Sequence, residues 1–339
     1  MLSSGPMAGG SAVGIVANPA SGKDVRRLVG AASVVDNNEK VNVVRRLFAG
    51  LAATGVQCVH YMPEHFDIVG RALDGLRLEI EARRLEMRFE GRPRDTLVAV
   101  ERLVGLDVGC LIAIGGDGTA RLVGSRSGQT PIVALSTGTN NALPSWIDGT
   151  VAGVAAGLVA SRRVDLARCA PPAKRLEVRV EDRGRSVDDL ALVDLAISRE
   201  RFVAARAIWE PDQLAELFLT RAEPGVIGLS AVGAHLAPTG RDEPGGLWLR
   251  LGEGGSRVRA PIVPGMVRDV AVREWRRLEP EQAVELRPGG GVVALDGEKE
   301  HELSPDALVS VTLTRRGPRV VEIRNTIEQA ARSGVFVLQ

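Results

Sequence analysis

The sequence predicts an α/β protein in which a Rossmann-like domain with a parallel sheet is followed by a β-rich domain. Before about residue 165, short apolar segments alternate with segments of helical periodicity, the pattern of a parallel sheet with crossover helices. After Pro171 and Pro172, short alternating segments separated by turn residues dominate, which is typical of antiparallel strands. Three of the N-terminal segments end in loops of small polar residues, at the edge where parallel sheets bind ligands.

Length and composition are those of a globular protein of about two domains. The chain has 339 residues, 45% hydrophobic, 25% charged and only 3% aromatic, so Val, Leu, Ile and Ala must form its cores. A formal net charge of +1 gives no electrostatic basis for binding nucleic acid or an anionic membrane. Cys58, Cys110 and Cys169 have no metal-ligand or disulfide spacing, which predicts a cytoplasmic protein. The longest small-apolar run, 151–160, is too short to span a bilayer and predicts a core helix.

The segment 111–119 is expected to organise a phosphate site. Its first four residues predict a buried strand, and the glycines that follow allow a tight turn into a helix, where N–H groups and the helix dipole favour an anion. The residues expected to approach a phosphate are Gly115, Gly116, Gly118 and Thr119. Asp117 would repel phosphate, so we expect it to hold Mg²⁺ or to accept a proton from an acceptor hydroxyl. The plain alternative is a Gly-Asp-Gly surface turn.

Two more loops of this kind follow predicted strands at 13–17 and 132–135. The first contains Asn18, Ser21, Gly22 and Lys23, and the second contains Gly138, Thr139, Asn140 and Asn141. The first lacks Walker A spacing, and a helix-capping turn would also explain its composition. Three such loops at one sheet edge predict a shared site for nucleotide phosphates, with Lys23 and Arg121 as further phosphate contacts or as solvated cations.

The remaining elements follow from periodicity. Residues 41–53 predict a helix and 56–62 a second strand, and 66–104 predict two helical pieces separated by a charged, solvated stretch at 79–94. In the second half, the predicted strands cover 176–180, 190–198, 203–208, 246–251, 292–295 and 308–314.

Three positions of the second half are candidate contacts for an acceptor. Asp194 interrupts an apolar strand, and a buried carboxylate needs a partner unless this strand has one wet face. Ser230 lies in the small-residue run 228–234, which would either admit a ligand or pack closely. Asp296 and Gly297 fit a hairpin turn without any chemistry.

Several of these motifs resemble those of a known superfamily. Residues 115–119 match the Gly-Gly-Asp-Gly-Thr signature of the NAD kinase and diacylglycerol kinase superfamily. The loops at 18–22 and 138–141, and the element 295–298, are similar to the lipid-kinase branch. The whole run of loops, over roughly residues 12–325, most resembles the ATP-NAD kinase-like family called acetoin catabolism protein X.

The resemblance implies a β-sandwich in the second half and an active site in the crevice between the two domains. We therefore expect an α/β nucleotide-binding domain at 12–165, to which 316–335 returns, and a β-rich acceptor-binding domain at 170–315. Asp117 and Glu298 would then divide metal binding and proton abstraction.

The resemblance further implies a phosphotransferase that uses ATP and Mg²⁺ and converts NAD to NADP as a homo-oligomer. The chain departs from NAD kinases at Val193, where they carry Asn, and in 228–234, which lacks their Thr and Tyr. The alternatives are therefore a kinase of another hydroxylated small molecule or of a lipid, and a non-catalytic nucleotide-binding regulator linked to acetoin catabolism.

Overall fold

A five-stranded parallel sheet forms the N-terminal half of the computed structural model, which describes residues 11–22, 30–31, 35–77, 79–137, 141–199 and 211–337. The strands are β1 (Ala12–Ala17), β2 (Cys58–Tyr61), β3 (Glu81–Arg84), β4 (Cys110–Gly115) and β5 (Ile132–Ser136). Their order in the sheet is β3-β2-β1-β4-β5. The direction of winding switches between β1 and β4, so the loops after these strands meet at the ligand-binding edge of a doubly wound sheet. The predicted fold class is confirmed for this half.

Helices cover both faces of this sheet. They are α1 (Asn37–Ala53), α2 (Ile68–Leu73), α3 (Pro93–Gly105), α4 (Asp117–Arg126), α5 (Gly149–Ala160) and α6 (Leu166–Cys169). The small-residue run predicted as a core helix is α5, and it packs directly on α1. A Cβ atom on Gly50 or Gly153 would collide with the backbone of the opposite helix, so glycine allows this close approach.

The charged stretch 79–94 is solvated as predicted, but it contains a strand, β3, that was not predicted. This strand lies at the edge of the sheet and pairs in parallel with β2, from Cys58 opposite Glu81 to Tyr61 opposite Arg84. Most of its side chains are exposed, and Arg83 bonds Glu81 along the strand. Backbone pairing and the packing of Ala82 therefore define β3, which carries no apolar run for a sequence pattern to detect.

Two antiparallel sheets form the second half. Its elements are β6 (Arg175–Asp182), β7 (Arg185–Ala191), β8 (Asp194–Ser198), β9 (Leu214–Leu219), α7 (Leu229–Leu236), β10 (Gly246–Val263), β11 (Met266–Leu278), β12 (Ala283–Leu286), β13 (Gly291–Leu295), β14 (Glu298–Leu303) and β15 (Leu308–Thr314). The sheet orders are β11-β10-β9-β8-β13-β14 and β12-β15-β6-β7. Apolar side chains from both sheets share one core, which includes Val178, Ile197, Phe218 and Val311, so the sheets form the expected β-sandwich.

Several second-half predictions need correction. The segment 190–198 is two strands, because the chain leaves β7 of one sheet at 192–193 and enters β8 of the other. The run 228–234 lies mainly in helix α7, whose apolar residues are buried against the six-stranded sheet. The strands β9, β11, β12 and β14 were not predicted, and the last three lie at sheet edges. The predicted strand 203–208 lies outside the described residues.

The C-terminal segment returns to the first sheet. Ile132 N donates to Arg319 O and Val321 N donates to Ile132 O, both at 2.8 Å, so this segment extends the edge at β5. Helix α8 (Ile323–Arg332) then packs against α5 and α6. The domain limits at 165, 170 and 315 stay a prediction about folding units.

Candidate functional site

Hydrogen bonds join the loops that follow β1, β4 and β5. Asn18 Nδ2 donates to Thr119 Oγ1 at 2.9 Å, which ties the first loop to the start of α4. The hydroxyls of Ser21 and Thr137 share a hydrogen bond of 2.8 Å, which ties the first loop to the third. Thr137 N donates to Gly115 O at 2.9 Å, so the second and third loops are also joined. The three predicted phosphate loops therefore form one structural unit at the switch point of the sheet.

A fully buried lysine holds the first loop in shape. Lys40 Nζ donates to Asn18 O and Ser21 O, both at 2.9 Å, and to Pro19 O at 3.3 Å. Its charge therefore compensates carbonyl groups that face away from solvent. Sequence reasoning gave Lys40 no role, although it lies on the buried face of α1, four positions before Val44.

Glycines of the second loop leave room for specific side chains. A Cβ atom on Gly115 would collide with the Thr119 side chain, and one on Gly118 would stand 2.7 Å from Glu298 Oε1. Glu298 begins β14, so the sandwich delivers a carboxylate to the first turn of α4. In the first loop, Gly22 is buried and has a φ of 70°, which favours glycine there.

Asp117 holds the third loop through both carboxylate oxygens. Oδ1 accepts from Leu143 N and Oδ2 accepts from Ala142 N, each at 2.9 Å. Asn141 adds a hydrogen bond of 2.6 Å from Nδ2 to Ser136 Oγ. Asp117 is only 9% exposed, so its carboxylate is presented to the interior of the site rather than to bulk water. The other predicted phosphate contacts Lys23, Gly138, Thr139 and Asn140 lie outside the described residues.

Asp296 is the first residue of a two-residue hairpin turn between β13 and β14. Asp296 and Gly297 have φ values of 50° and 78°, as a type I′ turn requires. The Asp296 carboxylate accepts hydrogen bonds from three successive N–H groups, those of Leu192, Val193 and Asp194, at 2.7–3.1 Å. Burial raises the pKa of Asp296 to about 7, against the lowering effect of the Arg121 charge and of these hydrogen bonds. Asp296 therefore fixes the chain where it crosses from one sheet to the other, directly before Asp194.

Arg121 contacts the sandwich rather than a phosphate loop. Its guanidinium bonds Glu300 and lies 3.3 Å from Asp189 Oδ1 and 3.9 Å from Asp296 Oδ2. Its side chain is 5% exposed, so these acids compensate a charge that burial would otherwise disfavour. The expectation that Arg121 binds phosphate is therefore replaced by a role in joining α4 to the sandwich.

The predicted acceptor residues gather around one small cavity between the domains. Asp117, Asp194, Ser230 and Asp296 all line it, and its volume is about 30 Å³. Asp194 and Ser230 are buried, at 9% and 3% exposure. Two halves of the chain thus bring carboxylates and a hydroxyl to one point beside the phosphate loops.

The site suits a metal that arrives with a nucleotide. Among the residues that the structure describes, no group of three or more His, Cys, Asp or Glu side chains could hold a metal by itself. Mg²⁺ commonly takes only one or two protein carboxylates together with substrate phosphates and water. Two carboxylates lie near the start of α4: that of Glu298 lies against Gly118, and that of Asp117 bonds the N–H groups of Ala142 and Leu143.

The doubly wound sheet, the following sandwich and the Gly-Gly-Asp-Gly-Thr turn at the switch point define a protein of the NAD kinase-like fold. The structure resembles yeast NADH kinase complexed with NADH with a TM-score of 0.50, at 14% identity, covering 98% of this chain and 90% of that chain. Residues 13–163 match the family model of the ATP-NAD kinase N-terminal domain, and residues 174–316 match that of the acetoin catabolism protein X C-terminal domain.

A curated relative extends over nearly the whole chain. Acetoin catabolism protein X of Cupriavidus necator is 40% identical, covering 94% of this chain and 92% of its own length. The chain therefore belongs to the acetoin catabolism protein X family, as its loop motifs predicted. Within the described ranges, no helix is both long and apolar enough to cross a membrane.

Proposed function

We propose that the protein is an ATP-dependent phosphotransferase that phosphorylates a hydroxyl group of a small-molecule acceptor, with NAD as the first candidate and NADP as its product. One observation carries the proposal. The three strand-end loops are bonded into one unit, and carboxylates from both domains lie directly beside it. This arrangement can bind the phosphates of a donor and present an acceptor hydroxyl to them.

On the donor side, the loops at 18–23, 115–119 and 136–141 bind the ATP phosphates through backbone N–H groups and short polar side chains. Ser21 and Gly22 hold the first loop in place, and Gly116 and Thr119 lie where α4 begins. The helix dipole of α4 adds positive potential at this point.

The chemical step breaks the bond between the terminal phosphorus and the bridging oxygen of ATP, and forms a bond from that phosphorus to the acceptor oxygen. ADP leaves, and the hydroxyl proton passes to a carboxylate. The candidates are Asp117, which lines the acceptor cavity, and Glu298, which lies against Gly118. When bound, Mg²⁺ supplies charge neutralisation on the transferring group, with Asp117 as the proposed protein ligand.

On the acceptor side, Asp194 and Ser230 orient the hydroxyl by hydrogen bonds. Asp296 lines the same cavity, and its bonds to the N–H groups of 192–194 hold Asp194 in position. A cavity of about 30 Å³ accepts a hydroxyl group but not a dinucleotide, because pockets for whole ligands measure roughly 300–1,000 Å³. NAD binding therefore requires the domains to move apart.

The departures from NAD kinases at Val193 and in 228–234 favour a second candidate, a hydroxylated acceptor smaller than NAD. Val193 and helix α7 occupy the places where NAD kinases carry the dinucleotide-binding residues cited above. A compact acceptor would need a smaller opening of this cavity than a dinucleotide does. The family name suggests that such a reaction serves acetoin catabolism.

The test is an assay of the purified protein with ATP and Mg²⁺, in which NADP is measured in the presence of NAD and ADP release is measured with a panel of small polyols and hydroxy acids. NADP formation supports the first candidate, and acceptor-dependent ADP release without NADP supports the second. If the protein binds ATP but turns over no acceptor, the proposed function changes from an enzyme to a nucleotide-binding regulator. The absence of ATP binding would contradict both proposals about the loops.

We further propose that the protein acts in the cytoplasm as a homo-oligomer. Light scattering coupled to size-exclusion chromatography measures the assembly mass, and a monomer at micromolar concentration would contradict this.

A further inference from the structure

A second and much larger cavity lies between the domains, and none of its lining residues, among those that the structure describes, belongs to the three phosphate loops. Its volume is about 420 Å³, within the range of small-molecule sites. Its walls come from the segment after β5, the linker at 171–174, the residues after β9 and the start of α8. We call it the basic pocket, because its basic side chains are Lys174, Arg221, Arg241, Arg315 and Arg324.

The charges in the basic pocket are not balanced by its own acids. Asp242, Glu322 and Glu328 also line it, which leaves an excess of two positive charges. Glu322 pairs with Arg241 at 3.3 Å, and Glu328 bonds Arg332, which lies outside the lining. Arg315 donates to the backbone carbonyls of 242 and 243 rather than to a carboxylate.

Arg221 is a basic side chain of the pocket with no direct partner among the described residues. Its side chain is half-buried, and within the described residues its guanidinium forms no hydrogen bond and no ion pair. Glu223 exerts the strongest opposite charge on it without forming an ion pair, so its five N–H donors are left for a ligand. Burial lowers the pKa of Arg221, and the nearby charge of Arg241 lowers it further.

Lys174 contributes a second buried cation to the same wall. It is 5% exposed, and Nζ donates to Gly240 O at 2.9 Å and to Gly245 O at 2.8 Å. An ammonium has three donors, so one remains beyond these two carbonyls. Burial and the positive charges of Arg315 and Arg221 lower the pKa of Lys174 to about 8. The pocket therefore has a positive potential that an anion would relieve.

An exposed aromatic ring stands at the mouth of the pocket. Trp146 is 73% exposed, although large apolar side chains are seldom left so open, and it lines the pocket together with Leu143 and Ile147. An indole face stacks on flat, apolar groups. The pocket thus offers guanidinium and ammonium donors inside and a planar apolar surface outside.

We propose that the basic pocket binds a small organic oxyanion, a compound that carries a phosphate or carboxylate group on a planar body. The oxyanion bonds Arg221 and Lys174, and the planar body packs on Trp146. This site is separate from the phosphate loops. Its wall nevertheless includes Leu143, whose N–H group bonds Asp117, and Leu192, whose N–H group bonds Asp296.

The test follows tryptophan fluorescence while phenyl phosphate, benzoate or neutral benzyl alcohol is added without ATP. We expect a saturable change with at least one of the two anions and not with benzyl alcohol. The stronger anion decides between a phosphate and a carboxylate ligand. The W146F variant should lose this fluorescence change, which would assign the change to Trp146 rather than to the other three tryptophans.

Matched variants locate the binding. Arg221→Gln should weaken the anion about tenfold, the loss expected for a charged hydrogen bond. Arg324→Gln removes a second positive charge of the lining at an exposed position, and it should weaken the anion less than Arg221→Gln does. The exposed Arg273→Gln is the charge control, and Ser21→Ala in the phosphate loop shows whether the anion binds there instead; both should stay within about twofold of the wild type.

Three results would overturn the proposal: no response to either anion, an equal response to benzyl alcohol, or Arg221→Gln and Arg324→Gln variants that bind as the wild type does. Because the assay contains no nucleotide or acceptor, it gives the same answer whether or not the protein is a phosphotransferase.

Discussion

The carboxylate of Glu298 lies against Gly118, so closely that a Cβ atom at Gly118 would stand 2.7 Å from Glu298 Oε1. Glu298 belongs to the sandwich and Gly118 to the first turn of α4. The contact therefore joins the two domains at the proposed site of transfer. A substitution at Gly118 can therefore move the Glu298 carboxylate without disturbing the core of either domain.

Replacing Gly118 by Ala should impair transfer while sparing stability. The new methyl group displaces only the end of a flexible side chain, and alanine favours a helix by about 1 kcal/mol over glycine. We expect an unchanged or higher melting temperature and a turnover reduced about a hundredfold, as for loss of a positioned acid–base group. Gly105→Ala is the control, because a Cβ atom there meets open space near the end of α3. Wild-type turnover in Gly118→Ala would remove Glu298 from the mechanism.

Replacing Asp117 by Asn should abolish phosphoryl transfer and keep the fold. The amide retains the volume and one acceptor for the N–H groups of 142 and 143, but it loses the charge needed for Mg²⁺ or for proton transfer. Turnover should fall about 10²–10⁴-fold, and the free energy of unfolding by about 1–2 kcal/mol. Asp107→Asn, at an exposed turn with a φ of 54°, should behave as the wild type. Turnover within a fewfold of the wild type at saturating ATP and Mg²⁺ would reject this role.

Replacing Lys40 by Met should destabilise the first phosphate loop. The ammonium is fully buried among the carbonyls of 18, 19 and 21, which would lose their donor. We expect urea unfolding to show a loss of about 2–4 kcal/mol, together with weaker binding of an ATP analogue. Arg46→Met on the same helix breaks exposed ion pairs only and should cost less than about 1 kcal/mol. Equal losses of stability in the two variants would contradict the role of Lys40 in holding the first loop.

Lys174 should make stability rise with pH in the alkaline range. Its pKa is about 8 in the folded protein and has the ordinary value of 10.5 when the chain unfolds, so the unfolded state binds more protons between these values. Stability from this group is full above 10.5 and is lost as pH falls toward 8, by up to about 3 kcal/mol. Urea unfolding at pH 7.5 and pH 10 should show this gain in the wild type and not in Lys174→Met. The same pH dependence in both proteins would show that Lys174 keeps its ordinary pKa.

The central strands and the loops after them could be predicted from sequence because burial on both faces demands continuous apolar runs. The segments 13–17 and 111–114 are such runs, and the turn residues after them mark the ligand edge. Strand β3 could not be predicted in this way, since it is short, three of its four residues are charged and only Ala82 packs against the core. In the edge strands β11 and β14, charged residues likewise interrupt the sequence, although Val270 and Val272 of β11 are buried.

The site residues also fall into those that the sequence reveals and those that it does not. Each phosphate loop is a short continuous segment, so its chemistry is visible in the motif. The structural roles of Lys40 and Asp296 depend on contacts with segments distant in the chain, the loop at 18–21 and the crossing at 192–194. The sequence pattern shows that Asp296 follows an apolar strand. It does not show that the N–H groups of 192–194, about a hundred residues earlier, bond its carboxylate.

The pairing of β5 with residues 319–321 has a consequence for how the protein is made. All five strands of the first sheet leave the ribosome by residue 136, but the partner of Ile132 emerges only near residue 321. At ordinary elongation rates that interval lasts about 10–40 s. During it the nascent chain presents an apolar parallel edge that neighbouring chains could extend. A chain truncated before residue 319 would leave the β5 edge of the first sheet without its partner segment.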